Sequence, residues 1–211
     1  MDYNTLNKFI AATSNELFTV EKNHYKLVYS AYQPPVATHS KWPMVPLASV
    51  CEYEQPTNYI VQSTAYNDAY KTPVLTAGKS FILGYTNETD NCYTNYPVIL
   101  FDDFTTHTQF VDFSFKLKSS AIKLLKNKRM IDIHYLYYVM KGILFRPSTH
   151  KRHWISEYSK ITIPLPPLAI QHEIVTQILA QETAIKAHKS AIATCEQEIG
   201  TLIYKIWHNT A

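Results

Sequence analysis

Three short stretches carry residue types that could do chemistry. The first, Thr72-Pro73-Val74-Leu75-Thr76-Ala77-Gly78-Lys79-Ser80, ends like a phosphate-binding loop. Such a loop reads G-x-x-x-x-G-K-[ST] and opens a helix, so that backbone amides face the phosphates. Pro73 stands where the first glycine is required, with a fixed φ and no N–H to donate. After Ser80 the chain reads Phe-Ile-Leu-Gly-Tyr-Thr, which is strand-like. A nucleotide loop is therefore rejected. The second stretch, Asp102-Asp103, is the only adjacent acidic pair. A metal-dependent nuclease needs convergent carboxylates, and no acidic-x-Lys element lies near this pair; a strand-end turn or a helix cap is the plainer reading. In the third, His150 and His153 bracket Lys151 and Arg152, two cations that oppose a metal ion, and no Cys-x-x-Cys joins them. The four glycines (78, 84, 142 and 200) never cluster into a cofactor loop, and Pro166-Pro167 is flanked by leucines. These patterns predict no catalysis, no cofactor and no metal.

Charge is distributed unevenly. Residues 115–160 hold eleven Lys and Arg against Asp132 and Glu157, a net of +9 in a chain whose total is +3, so the remainder carries −6. A basic face for a polyanion and a merely solvated basic surface both fit that split. For phosphate contact the candidates are Lys116, Lys118, Lys123, Lys126, Lys128 and Arg129. The polar basic loop Arg146 to Trp154, with His150, Lys151 and Arg152, could reach phosphates or base edges. Cys51, Cys92 and Cys195 are odd in number and far apart, which predicts a reduced, cytoplasmic setting rather than a disulfide scaffold. No run approaches a membrane span.

The elements that must position these residues fall into three parts. Residues 1–41 read as a peripheral segment, with an amphipathic helix over Thr5 to Leu17, then a looser stretch and a Pro34-Pro35 linker. Residues 42–165 read as a mixed α/β domain with a mostly antiparallel or irregular sheet. Its strand signals are the runs Tyr59–Tyr66, Thr72–Tyr85 and Tyr96–Phe104 and the alternating Gln109–Lys118. Ser119 and Ser120 predict the cap of a short helix through Lys126. A second helix is expected from Asp132 to Gly142.

The third part, residues 166–211, has no proline after Pro167 and predicts one helix from Ala169 to His208, about 60 Å long. Ile178, Ile185, Ile192, Ile199 and Ile206 recur every seven residues, interleaved with Ile174, Gln181, His188, Cys195 and Leu202. That is a coiled-coil seam with two polar interruptions, Gln181 and His188, which set register or partner choice. A helix packed on its own domain would drift to a 3.6-residue period and a wider stripe. The fold class expected is thus α+β, one mixed domain followed by one long coiled-coil helix.

The run Pro164-Leu165-Pro166-Pro167-Leu168-Ala169-Ile170-Gln171-His172-Glu173-Ile174 leading into this helix resembles the junction of a target recognition domain and spacer helix in the specificity subunits of type I restriction-modification systems. The blocks "WPMVPLASVCEY", "VLTAGKSFILGYTNE", "VILFDDFTT" and "VDFSFKLKSSAIKLL" are similar to the same family. The resemblance covers roughly residues 42–208. It implies a non-catalytic module that reads one half of a split site in double-stranded DNA. It adds Lys79 and the Thr105-Thr106-His107 loop as DNA-contact candidates. It also implies antiparallel pairing with a second spacer helix, from a copy of this chain or another recognition domain, and association with methyltransferase and motor-nuclease subunits. A full subunit of that family has two recognition domains and two spacers, and this chain has one of each, as expected of a half subunit, a fragment or the module of a fused enzyme. The competing reading is a coiled-coil interaction protein that does not bind DNA.

Overall fold

The computed structural model describes residues 40–78, 80–145 and 151–208, and the backbone of 18–21 and 24–27. The chain divides into two units, Met1–Lys41 and Trp42–Ala211. In the first, β1 (Phe18–Glu21) pairs antiparallel with β2 (His24–Leu27), where the sequence suggested only a loose stretch. The helix expected over Thr5 to Leu17 lies outside the described residues.

The second unit runs β3 (Met44–Pro46), α1 (Leu47–Val50), β4 (Cys51–Glu54), β5 (Thr72–Leu75), β6 (Ile82–Thr86), β7 (Val98–Asp102), β8 (Thr108–Val111), β9 (Lys116–Leu117), β10 (Ile122–Asn127), α2 (Ile133–Lys141), β11 (Thr162–Pro164) and α3 (Leu168–His208). The fold is the mixed domain and long terminal helix that the sequence predicts. Its central sheet is antiparallel, in the order β4-β10-β7-β8. A smaller sheet, β6-β5-β9, contains one parallel pair, β5 with β9, and β11 closes against β3.

The apolar run of β7 follows from its place. Ile99 and Phe101 enter one core with Leu47, Leu125, Leu136, Trp154 and Tyr158. Val98 and Leu100 enter a second core with Leu75, Phe115, Leu117, Ile122 and Leu124. A strand covered on both faces has no polar side to alternate with. Asp102 closes one end and sits opposite Ile122 in β10.

Three sequence expectations are corrected. Residues Ser119–Lys126 form no helix: the Ser119 hydroxyl accepts from Ala121 N at 3.1 Å and caps a tight turn into β10. Ile122 and Leu124 then face one core and Leu125 the other, so two-sided burial decides for strand. Gln109–Lys118 is not one strand. It breaks after Val111, and its second half joins the smaller sheet as β9. Tyr59–Tyr66 is mostly irregular, with a single bridge from Ile60 to Leu117.

Both ends of α2 match the expected signals. The Asp132 carboxylate accepts from the amides of His134 and Tyr135, and Gly142 terminates the helix. The long helix α3 is fastened to this point by Gln171, which is fully buried. Its carbonyl accepts from Asp132 N at 2.7 Å, and its amide donates to Pro166 O at 2.7 Å and Met130 O at 3.1 Å. One buried amide thereby satisfies three backbone groups where the α3 start meets the α2 start. Val175 is buried nearby, and the Tyr138 hydroxyl donates to Glu182 at 2.8 Å. Beyond Ile178 every described residue of α3 is exposed.

Candidate nucleic-acid interface

The turn between β7 and β8 is built by Asp102. Its carboxylate accepts from the amides of Phe104 and Thr105, both at 2.9 Å, and its carbonyl accepts from Thr106 N at 2.8 Å. Its own N–H donates to His107 O at 2.9 Å. Thr106 sits at φ 59°, a costly position for a β-branched residue. The turn so formed presents Thr105 and His107 to solvent.

Asp103 points the other way, into the core. Its carboxylate lies 3.2 Å from Lys123 Nζ and accepts from Trp154 N at 2.7 Å. Its carbonyl accepts from His153 N at 2.8 Å, and Arg152 Nη1 lies 3.7 Å from its side chain. The acidic pair thus divides into a turn cap and a buried fastener that pulls residues 151–154 against the hairpin. Neither carboxylate is presented to a metal. Among the described residues no group of three or more His, Cys, Asp or Glu could hold an ion.

Three segments far apart in sequence meet at this end of the sheet. The Gln109 side chain reaches Gly78 O, at 3.5 Å, in the loop before Lys79. The Arg152 guanidinium lies 5.6 Å from the centre of the Phe104 ring. Phe145, which leads into the basic loop, lines a cleft shared with Thr105, Thr106 and Gln109. Lys79, Arg146 and His150 themselves lie outside the described residues. Lys151 is exposed and pairs with Glu157, and the hydrogen bond from Lys151 holds the Glu157 carboxyl below its usual value.

The remaining basic candidates are not gathered there. Lys116 and Lys123 are corrections to the expected contact set, because both are buried. Lys116 Nζ lies 2.7 Å from Glu88 and donates to Asp90 O at 3.0 Å. Lys123, 2% exposed at its side chain, pairs with Asp103 and lies over the Tyr53 ring at 4.7 Å. Each ammonium is engaged by a carboxylate within the folded chain. Lys118 lies over Tyr66 at 5.8 Å and half-buried Lys126 over Tyr93 at 5.9 Å. Lys128 donates to Ala48 O, and it and exposed Arg129 follow the end of β10 that pairs with Cys51. The β10 register places that end about five residues, roughly 17 Å, from the hairpin turn.

Gln109, Tyr137, Lys141 and Phe145 line the cleft beside the turn and were missed from sequence. Gln109 opened what read as a plain amphipathic strand. Lys141 lay in the basic run but at a helix end without a motif. The signal available was the polar character of Thr105–Gln109 directly after an apolar strand.

The family model for the type I restriction modification DNA specificity domain matches residues 39–197. This chain belongs to that family. The match runs through the mixed domain and most of α3. The specificity subunit of the Escherichia coli type I restriction enzyme EcoR124I/EcoR124II is 48% identical over 162 residues, 70% of this chain and 39% of the relative. The chain therefore spans well under half of that relative. Among solved structures, a chain of a type I R-M system studied for complex assembly and conformational transition matches with TM-score 0.59 at 19% identity, over 82% of this chain and 47% of that one. The S subunit of the M. genitalium type I system matches with TM-score 0.55 at 14% identity, over 72% and 42%. These likenesses establish the shared fold of the specificity domain.

In the specificity module the seam residues divide in two. Ile174 and Ile178 are half-buried, and Ile174 packs on the domain's own core. Gln181, Ile185, His188, Ile192, Cys195, Ile199, Leu202 and Ile206 are exposed along the helix. An isoleucine every seven residues on a solvated helix is an unfilled packing surface. No described helix is long and apolar enough to cross a membrane.

Proposed function

We propose that this chain supplies DNA sequence specificity to a type I restriction-modification system, without catalysing a step itself. The end of the central sheet that carries Thr105, Thr106, His107, Lys151 and Arg152 reads one half of a split site in double-stranded DNA. The observation that carries this reading is the meeting of the hairpin turn with two distant segments, around Gly78 and from Phe145 to Arg152, in a member of a DNA specificity family. The major groove admits a two-stranded β-ribbon, and a turn capped by its own aspartate is a rigid ribbon end.

The free part of α3 pairs with a second spacer helix, from another copy or another recognition domain. A helix of 41 residues, about 60 Å, suits half-sites one to two DNA turns apart, at about 34 Å per turn. The pair recruits methyltransferase subunits, which bring S-adenosylmethionine chemistry, and a motor-nuclease subunit for cleavage. All of this takes place in the cytoplasm, where the DNA is.

Genome-wide mapping of methylated bases in the source strain, with and without this gene, tests the reading. The expected result is loss of one split motif. If no motif changes while the partner methyltransferase is expressed, the chain is a coiled-coil interaction protein. The DNA reading also requires affinity that falls steeply as salt rises.

A further inference from the structure

Beside the hairpin turn lies a cleft of about 460 Å³, walled on one side by Thr105–Gln109 and on the other by Tyr137, Met140 and Lys141 of the last α2 turns. Its floor is apolar, formed by Ile143, Phe145 and Tyr158. The ring of Phe110, tilted against His134 at 4.5 Å between centroids and 5.7 Å from Tyr137, ties the two walls together.

Among its polar lining groups, Gln109 and Lys141 carry the longest non-aromatic hydrogen-bonding side chains. Gln109 spends one amide hydrogen on Gly78 O at 3.5 Å, at the outer limit of a hydrogen bond, so that contact is given up at little cost. Lys141 is exposed, its ammonium 5.2 Å from the Tyr137 ring centre and 5.8 Å from that of Tyr138. Ring contact confines that long side chain to the rim, and among the described residues no carboxylate pairs with it. An amide offers a donor and an acceptor side by side, the complement of adenine N7 and the 6-amino group. An ammonium complements guanine O6 and N7.

Resting on the DNA-specificity reading above, we propose that this cleft is the subsite that reads one purine of the half-site through its major-groove edge. The Gln109 amide is the discriminating group and Lys141 the second donor. Thr105 and His107 on the exposed turn hold the backbone on either side of it.

The test maps methylation motifs in the native strain carrying the complete system, with wild type, Gln109→Leu and Lys141→Gln. Gln109→Leu removes both hydrogen-bonding atoms at nearly constant size. The expected result is that one purine position becomes degenerate, its preference falling about ten- to a hundredfold while every other position stays sharp. Lys141 is a surface residue, so its variant keeps the fold, and it is expected to relax the same or the adjacent position. Motifs unchanged at every position in both variants would overturn the proposal, as would a uniform loss of methylation with no position singled out. A wild-type gene whose deletion changes no motif would overturn the specificity reading itself, a different result from sharp motifs in all three strains.

Discussion

The central sheet and the long helix use apolar residues in opposite ways. On β7, Val98, Ile99, Leu100 and Phe101 are all buried within the chain, two on each face. On α3, Ile185, Ile192, Ile199 and Ile206 are more than half exposed, and Trp207 near the end is 80% exposed. The first region completes its packing alone and can hold a surface in fixed geometry. The second leaves its apolar seam exposed, and on the proposed reading another helix covers it. One chain thus joins a self-packed sheet to an exposed apolar seam, with Gln171, Val175 and the Tyr138–Glu182 hydrogen bond at the joint.

Substitutions that strike the two regions should therefore separate stability from assembly. Asp103→Ala is expected to have the largest effect on folding. It strands Lys123 in the core and frees Trp154 N, costing about 3–5 kcal/mol in urea unfolding. Phe101→Ala empties the space between Trp154 and Tyr158, whose rings lie 5.1 and 4.7 Å away, and should cost a similar ~3–5 kcal/mol. Ile199→Ala should leave domain unfolding within about 0.5 kcal/mol of wild type while weakening helix association, read by sedimentation. A large shift of the domain transition by Ile199→Ala would show that the helix packs on its own chain, and the contrast would fail.

The joint comes next. Gln171→Leu leaves Asp132 N, Pro166 O and Met130 O without their partner, an expected cost of about 1–3 kcal/mol. Because the amide holds the angle between α3 and the domain, the variant should also impair methylation of the split motif more than its stability loss explains. Normal methylation in a destabilised variant would reduce Gln171 to packing.

Much of this division was legible in the sequence. The seven-residue period of isoleucine is purely local, so α3 could be read directly. Asp132 and Gly142 mark α2 through backbone needs that act within a turn. What failed depends on partners distant in the chain. Lys123 looks like any surface lysine until Asp103 is brought beside it, and Lys116 until Glu88 is. Ser119 and Ser120 signal a cap equally well before a helix or a tight turn, and only cores on both faces decide for β10. The cleft needs Thr105–Gln109 and Tyr137–Phe145 to meet, which no local pattern encodes.

A smaller, pH-dependent effect sharpens the account of the buried lysines. Burial raises the Glu88 carboxyl, but the hydrogen bond and charge of Lys116 and the amides of Ser63 and Gln62 outweigh it, so the net shift is downward from 4.5. A lowered folded value means the unfolded chain takes up the proton first as pH falls. The stabilisation from Glu88 is therefore complete above the ordinary carboxylate range, near 4.5, and is lost as pH drops through the lower folded value. Glu88→Gln should flatten this part of the acid limb of stability, and an unchanged limb would show that Lys116 holds its place without the charge.

The smallest perturbation uses the cysteines as reporters of the two regions. Burial pushes the Cys51 thiol up to about 12, so at neutral pH it carries almost no thiolate and is shielded as well. Cys195 is exposed on the seam. Alkylation of the native chain at pH 7.5 should spare Cys51 until the domain unfolds, giving a direct reading of the first region. Cys195 should react in the dissociated chain and slow down as concentration rises, because a partner helix covers that position. Concentration-independent labelling of Cys195 would mean that the seam is open in solution and is filled only by a different chain, such as another recognition domain's spacer. That outcome would leave the contrast between sheet and helix intact while changing who completes the helix.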